Sequence, residues 1–576
     1  MGEKHQTGIG RRQLLTGAGA AAVLGVSARP AHPAMDSIHW EREVDVICVG
    51  SGAAACSAAT VASHAGASVL ILEKLPMLGG TTAKSGGVTW IPNNPILRAQ
   101  GIDDDKLDCL RYLARYAYPQ QYTPNSPTLG LRESDYRLLE AFYDNGTKAI
   151  EFLQDNDIVK FQQFRMWHVD KVPPDYADHL PENKVPRGRC IEPASGAGAS
   201  AGGGSLAVTL ANWLKSQGVP MLTEHPVTRL IMAADRVVGV EVLHEGNTLN
   251  FKARKGVVFG TGGYAHNTDL VSLHQTALYG SCALPGSTGD FIGMAGAVGA
   301  QMGALHMAWR TQVLFEEALR DRELGLGAFV LPGDSMIVVN RYGRRVTNEK
   351  RNYNDRTRTH FYYDPTREEY PNQLQFMVFD HRSLDAFGGN FPLPSSPAGS
   401  RYLIKGDTWD ELTANIAARL AGVADQSGGF TLDPIFRDAL QDSVERFNGY
   451  ARKGMDTEFQ RGKHQYDSDW HELFSSHRKD TEYPVNPMPS LVMHPFSEQG
   501  PYYAFILAAG ALDTCGGPVI NEHAQVLAAD GSPIPGLYGA GNCISSPTRQ
   551  AYAGAGGTIG PALTFGHIAG RHVMQS

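Results

Sequence analysis

Residues 548–560 read TRQAYAGAGGTIG, a run in which Tyr552 is the one large hydroxyl-bearing side chain among glycines and alanines. A phenol donates one hydrogen bond and ionises only near pH 10, so it can hold a carbonyl oxygen or, once ionised, take a proton. The glycines around it fit either a tight turn ahead of a helix or a place where backbone comes close to a ligand. A second glycine cluster stands in VDVICVGSGAAACSAAT at 44–60. There Gly50, Ser51 and Gly52 lead into Ala53, Ala54 and Ala55, the last standing where G-x-G-x-x-G has its third glycine. Such a turn lets backbone N–H groups at a helix N-terminus approach a pyrophosphate.

The elements that would position these residues follow from pattern. VDVICV predicts a buried strand, the Ala-rich stretch a helix, and ASVLILEK at 67–74 a second strand. That strand ends in Glu73 and Lys74, with Glu73 21 residues beyond Gly52, where an acidic side chain takes ribose hydroxyls. Two glycine turns come next: Gly79, Gly80, Thr81 and Thr82, then Ser85, Gly86 and Gly87. The pattern returns in GVVFGTGGY at 256–264, with Gly262 and Gly263, and in PGLYGAGN at 535–542, ending in Gly541 and Asn542. Three returns to one long ligand suit FAD better than NAD.

A chain of 576 residues exceeds a single hydrophobic core. The cofactor segments occupy 40–290 and 497–576, which leaves 291–496 as an inserted catalytic cap domain. The expected fold is α/β: a Rossmann-type (GR2-like) FAD-binding domain with an inserted α+β substrate domain, and the site between them. A net charge of −8 with no long basic run argues against a nucleic-acid partner. The seven cysteines are scattered without a C-x-x-C pair, so no metal site or disulfide framework is expected. Residues 1–34 carry Arg11 and Arg12, a short apolar run and Val26-Ser27-Ala28, which read as a Tat-type signal peptide. Periplasmic or other exported placement follows, with a cytoplasmic one as the alternative. No other stretch is apolar and long enough for a transmembrane helix.

On VGSGAAA, EKLPMLGGTTAKSGGVTWIP, STGDFIGMAG, VVNRYGRRVTNE, DTEFQRGKHQYD, LDTCGGPVI and AYAGAGGTIGPALTFGHIAGR, the chain resembles the flavoproteins that include fumarate reductases and 3-ketosteroid dehydrogenases. The resemblance spans about residues 40–572 and is nearest to the 3-ketosteroid Δ1-dehydrogenase (3-oxosteroid 1-dehydrogenase) branch. It implies noncovalent FAD, because GGTTAKSGG lacks the family's histidine attachment site, and it adds Asp290, Gly557, Thr558 and Ile559 to the cofactor-binding set.

The same resemblance implies that Tyr552 and the Gly556 N–H bind a keto oxygen, Tyr353 takes the neighbouring proton, Tyr176 assists it, and the flavin takes the hydride. The three residues with which the reductase branch handles carboxylates are replaced here by Tyr353, Asp513 and Tyr552. Arg351, Arg356 and Arg549 remain as sources of displaced positive charge. The expected activity is therefore FAD-dependent desaturation beside a ketone, with a hydrophobic, steroid-like substrate and an external electron acceptor such as a quinone. A fumarate-reductase-like enzyme acting on an unsaturated acid or enone stays open, as does an electron carrier without turnover of its own. Tyr176 lies in PPDYADHLPE, which by itself reads as a charged surface loop, and Asn352 and Ala553 stand where the branch commonly has proline.

Overall fold

The run VDVICV forms most of β1 (Arg42–Val49) in the computed structural model, which describes residues 38–166, 170–194, 202–475 and 486–575. The expected signal at 1–34 lies outside these residues. β1 turns into α1 (Ala53–His64) and is flanked in parallel by β2 (Val69–Leu72) and β3 (Asn247–Phe259). Val46, Ile47 and Cys48 are fully buried, as a parallel strand covered on both faces requires. Each such aliphatic side chain contributes about 1.5–3 kcal/mol.

Register explains why distant glycine turns meet. Val49 pairs with Phe259, and Phe259 with Gly539 at the end of the parallel strand Pro533–Gly539. Three strands thus end level, and their turns, at Gly50–Gly52, Gly260–Gly263 and Ala540–Asn542, open on one edge of the sheet, where doubly wound folds bind ligands. The C-terminal helix Ile559–His572 crosses α1 closely: a Cβ on Gly566 would lie 2.3 Å from the Ala54 carbonyl oxygen. Ser57 Oγ fastens the pair by donating to the Leu563 carbonyl at 2.8 Å.

A second sheet is antiparallel. Its centre is formed by Leu374–Asp380 and by β5 (Tyr502–Thr514), which pairs also with β4 (Ala308–Leu314) and Ile404–Gly406. β5 falls in the segment that the sequence reading joined to the cofactor domain from 497 onward. The second sheet ends at Thr514, because YYAFILAAGALDT finds its ladder partners in the insertion. An apolar run alone does not say which sheet receives it. Residues 44–298 and 520–573 build one apolar core, and residues 313–508 another.

Beside the second core, a buried ion cluster fixes the NEKRNYND segment. Arg345 pairs with Glu349 and Asp456, each at 2.9 Å, and Arg461 with Glu349 at 3.2 Å. Burial alone would raise the Glu349 carboxyl, but Arg345 and Arg461 outweigh it and bring it down to about 2. The segment leads into the short helix α2 (Tyr353–Thr357), capped by Asn352, whose side chain accepts the Asp355 N–H. Asparagine at this departure from proline is thus a helix cap. All seven cysteines are free, with only Cys282 partly exposed. Among the described residues no helix is long and apolar enough to cross a membrane, and no cluster of metal-ligating side chains occurs.

Candidate functional site

The cofactor cleft is built outward from Gly50. Its φ is +97°, and a Cβ there would stand 2.6 Å from the Gly260 carbonyl oxygen. α1 begins with Gly52 as its cap and no side chain bonded to its first N–H groups at that position, although Thr82 Oγ1 accepts the Ala53 N–H at 3.0 Å. Ser51 Oγ donates to Glu73 at 2.7 Å and the Leu75 N–H to the same carboxylate at 2.9 Å, which fixes the acid at the cleft wall. Lys74 is paired with Asp290 at 2.7 Å.

The cleft spans about 1020 Å³, counting the solvent in its open mouth. Gly50, Gly52, Ala53, Ala54, Glu73, Lys74, Gly80, Thr81, Thr82, Ser85, Gly262, Asp290, Gly541, Asn542, Thr558 and Ile559 all line it. Five expected residues do not, and the packing shows why. The Gly79 N–H donates to Ser51 Oγ, Gly87 lets the chain at Gly202 and Gly203 pass, and a Cβ on Gly86 would meet nothing within 4 Å. The Gly263 N–H is given to Asp513, and the Gly557 N–H to the Gly554 carbonyl. These glycines shape the turns around the cleft. His225, Thr261, Leu284, Ser287 and Asp513 line it without having been expected there.

The donor set fits FAD. A glycine turn at Gly50 that no Cβ could enter, a helix start whose Gly52 cap brings no side chain of its own, and an oriented acid for the ribose lie along one cleft. The buried Thr261 hydroxyl in that cleft has no hydrogen-bond partner among the described residues. Gly50→Ala is expected to cut FAD occupancy tenfold or more, read as flavin absorbance per protein after purification. The added methyl meets backbone that cannot rotate away, and it forces an alanine into a left-handed conformation costing about 1–2 kcal/mol.

Next to the cleft three tyrosines meet. Tyr176, Tyr353 and Tyr552 are all buried, at 2, 7 and 4% exposure. The Tyr176 ring is stacked on Tyr552 at 5.5 Å, and Tyr353 lies 5.4 Å from Tyr176 and 5.5 Å from Tyr552. The Tyr176 hydroxyl donates to that of Tyr353 at 3.3 Å. Trp309 of β4, Phe329, and Tyr466 and Trp470 of the helix Gln465–Ser475 pack around them. Tyr466 lies in the DTEFQRGKHQYD segment, and no local motif marks the other three.

Tyr176 does not lie on the surface, as its charged loop suggested. Asp175 is buried against Arg189 at 2.6 Å and accepts Trp90 Nε1–H at 2.8 Å, while Arg189 also binds Asp104 at 2.7 Å. Asp175 of that loop therefore points inward and is paired, and Asp178 is paired with Arg351. The Tyr176 N–H donates to the Ala553 carbonyl at 2.8 Å, which ties the loop to the turn carrying Tyr552. In that turn Gly556 has φ +88°, and its N–H meets no acceptor among the described residues.

Burial pushes all three phenols up from their ordinary value, with Tyr176 and Tyr552 adding to the rise at Tyr353. At neutral pH they are uncharged donors. The surroundings thus do not lower Tyr353, the condition under which a phenol serves most readily as a base. Positive charge near them is already committed. Arg351 pairs with Asp178 and Asp467, and Arg549 with Asp135. Arg356 spends its donors on Gln312 and the carbonyls of Ala328, Glu349 and Arg351.

A family model described as an FAD binding domain matches residues 45–559. The chain is 32% identical to a 4-oxocyclohexanecarboxylate 2-dehydrogenase of Sinomonas cyclohexanicum, with 92% of each chain covered. It is 29% identical to a 3-oxosteroid 1-dehydrogenase of Mycolicibacterium smegmatis, over 92% of this chain and 96% of that one. The crystal structure of a 3-ketosteroid Δ1-dehydrogenase from Sterolibacterium denitrificans, in complex with 1,4-androstadiene-3,17-dione, is similar with a TM-score of 0.75 at 28% identity. That match covers 92% of this chain and 99% of the other.

Proposed function

The chain belongs to the family defined by the FAD binding domain, and from that premise we propose that it removes two hydrogens from the carbons α and β to a ring ketone. The observation that carries the reading is the meeting of three uncharged, buried tyrosines, one on a turn whose Gly556 N–H is unpaired among the described residues, beside arginines that are already bonded. Such a site offers hydrogen-bond donors to a neutral carbonyl and no free fork for a carboxylate.

In the proposed reaction the Tyr552 hydroxyl and the Gly556 N–H hold the keto oxygen. Both donors strengthen their bonds as that oxygen gains negative charge, each worth about 3–4 kcal/mol at the transition state. Tyr353, once ionised, takes the proton from the α carbon. The Tyr176 hydroxyl, 3.3 Å away, donates to the Tyr353 oxygen and holds it in place for that step without lowering the phenol. FAD, held by the residues of the cleft, would supply a two-electron, hydride-accepting oxidising centre beside the β carbon. Trp309, Phe329, Tyr466 and Trp470 keep water from these groups.

Two relatives act, by name, on ring ketones of different size, a 3-oxosteroid and a 4-oxocyclohexanecarboxylate. The aromatic enclosure suits a hydrophobic ring, and 3-ketosteroid Δ1-dehydrogenation, with electrons passed on to a quinone-like acceptor, is the reaction we assign. The test is anaerobic mixing of the holoenzyme with a 3-ketosteroid, a monocyclic ketone, succinate, or no addition. Bleaching of the flavin by a ketone is expected; bleaching by succinate alone would transfer the chain to the reductase branch. No bleaching by any of them would favour a carrier.

A further inference from the structure

Three acids line the cofactor cleft, and two have assigned partners: Glu73 receives Ser51 and Leu75, and Asp290 receives Lys74. The third, Asp513 near the end of β5, is fully enclosed, and no Lys or Arg pairs with it among the described residues. Only neutral donors hold it. Its Oδ2 accepts the Gly263 N–H at 2.8 Å, Ser287 Oγ at 3.3 Å and Asn542 Nδ2 at 3.4 Å, and its Oδ1 accepts the Thr514 N–H at 2.8 Å.

Its place in the cleft is set by the next link. Asn542 Oδ1 accepts Trp309 Nε1–H at 3.0 Å, and the Trp309 ring stands edge-on to Tyr552 at 5.4 Å. Asp513 therefore sits on the side of the cleft that adjoins the tyrosines. The titratable neighbours that feel its charge are Tyr264, after β3, and Cys515, after β5; burial pushes both up and both are uncharged. The nearest cation acting on those two is Arg310 of β4, whose guanidinium is bonded to Gln275 and the Ala277 carbonyl. Lys74 is occupied by Asp290 across the same cleft. With no cation to oppose it, burial pushes the Asp513 carboxyl up to about 6, against the pull of its four donors.

We propose that Asp513 takes up a proton when the FAD bound in this cleft is reduced. Reduction adds negative charge to a water-poor site, and an ionised carboxylate in the same cleft opposes that charge. Forming an O–H bond with a solvent proton removes the repulsion; no electrons pass to Asp513, and both electrons and the hydride's hydrogen stay with the cofactor. The inference rests on FAD binding and not on the choice of substrate, so it is testable without a ketone.

The experiment is an anaerobic dithionite titration of the holoenzyme between pH 5 and pH 9, with midpoint potential and proton uptake as readouts. Above about pH 6 the wild type is expected to take up more protons per two electrons than below it, which gives a break in the potential–pH plot. Asp513→Asn is expected to abolish the break and to make the flavin easier to reduce at pH 8. A break of the same position and size in the variant, or none in the wild type, overturns the proposal. Should Asp513→Asn fail to retain FAD, Ser287→Ala decides the matter: losing one donor to the carboxylate should move the break to higher pH, and an unmoved break refutes the assignment.

Discussion

Tyr353→Phe is expected to slow ketone-driven reduction of the bound flavin by a factor of about 10²–10⁴, the usual contribution of a positioned acid–base group. Flavin content should stay unchanged, because Tyr353 does not line the cofactor cleft. The ring keeps its contacts with Tyr176, Phe329 and Tyr552, and the folded state loses hydroxyl contacts with Tyr176, at 3.3 Å, and with Tyr552, each worth about 0.5–1.5 kcal/mol. The pH profile separates a proton acceptor from a packing residue. Burial holds the Tyr353 phenol well above its ordinary value, so the ionised fraction, and with it the rate, should climb with pH through the neutral and alkaline range. In the variant that slope should vanish. A phenylalanine enzyme with the wild-type rate, or one that is slower but keeps the slope, would remove Tyr353 from the reaction.

What was legible in the sequence was local. The glycine turn after VDVICV, the acid closing the next strand and the turns at 262 and 541 are all spacing signals, and parallel register brings them to one edge. Glycine, however, says only that something comes close. Gly50 admits the Gly260 backbone and lines the cleft; Gly87 admits Gly202 and Gly263 admits Thr514, and neither of these lines it. The residues give one pattern for both uses. Tyr176 was hidden for a different reason: its loop looks solvated until Asp175 is seen to be paired inside the fold with Arg189, 14 residues on, which also binds Asp104. Trp309, Tyr466 and Trp470 come from the insertion, where apolar periodicity reports burial but not which residues face a site. Asp513 was noticed in the sequence only as the absence of a histidine; its role as the uncompensated acid of the cleft depends on four donors from three other turns and its own neighbour.

Gly556→Ala is expected to reduce the rate of ketone-driven flavin reduction by at least 10²–10³, the loss that follows removal of one donor to a developing oxyanion. A side-chain donor can be deleted cleanly, whereas a backbone N–H can only be moved, and this position makes the move unavoidable. The added Cβ would lie 2.3 Å from the Val88 carbonyl oxygen and 2.5 Å from the Thr89 nitrogen, at a φ of +88° that alanine adopts only at a cost of about 1–2 kcal/mol. The displacement cannot stay local. Gly556 accepts the Trp90 N–H at 3.2 Å, Trp90 Nε1 is bonded to Asp175, and Asp175 precedes Tyr176, so a shift of the turn disturbs both the oxygen-binding donor and the residue assisting the base. Thermal unfolding and flavin content distinguish a misplaced donor from a collapsed fold. A holoenzyme that keeps its FAD, melts within a few degrees of wild type and yet loses the reaction is the result that assigns this N–H to the keto oxygen. Full activity in such an enzyme would mean that the oxygen is held elsewhere, and the glycines after Tyr552 would then be a turn ahead of a helix and nothing more.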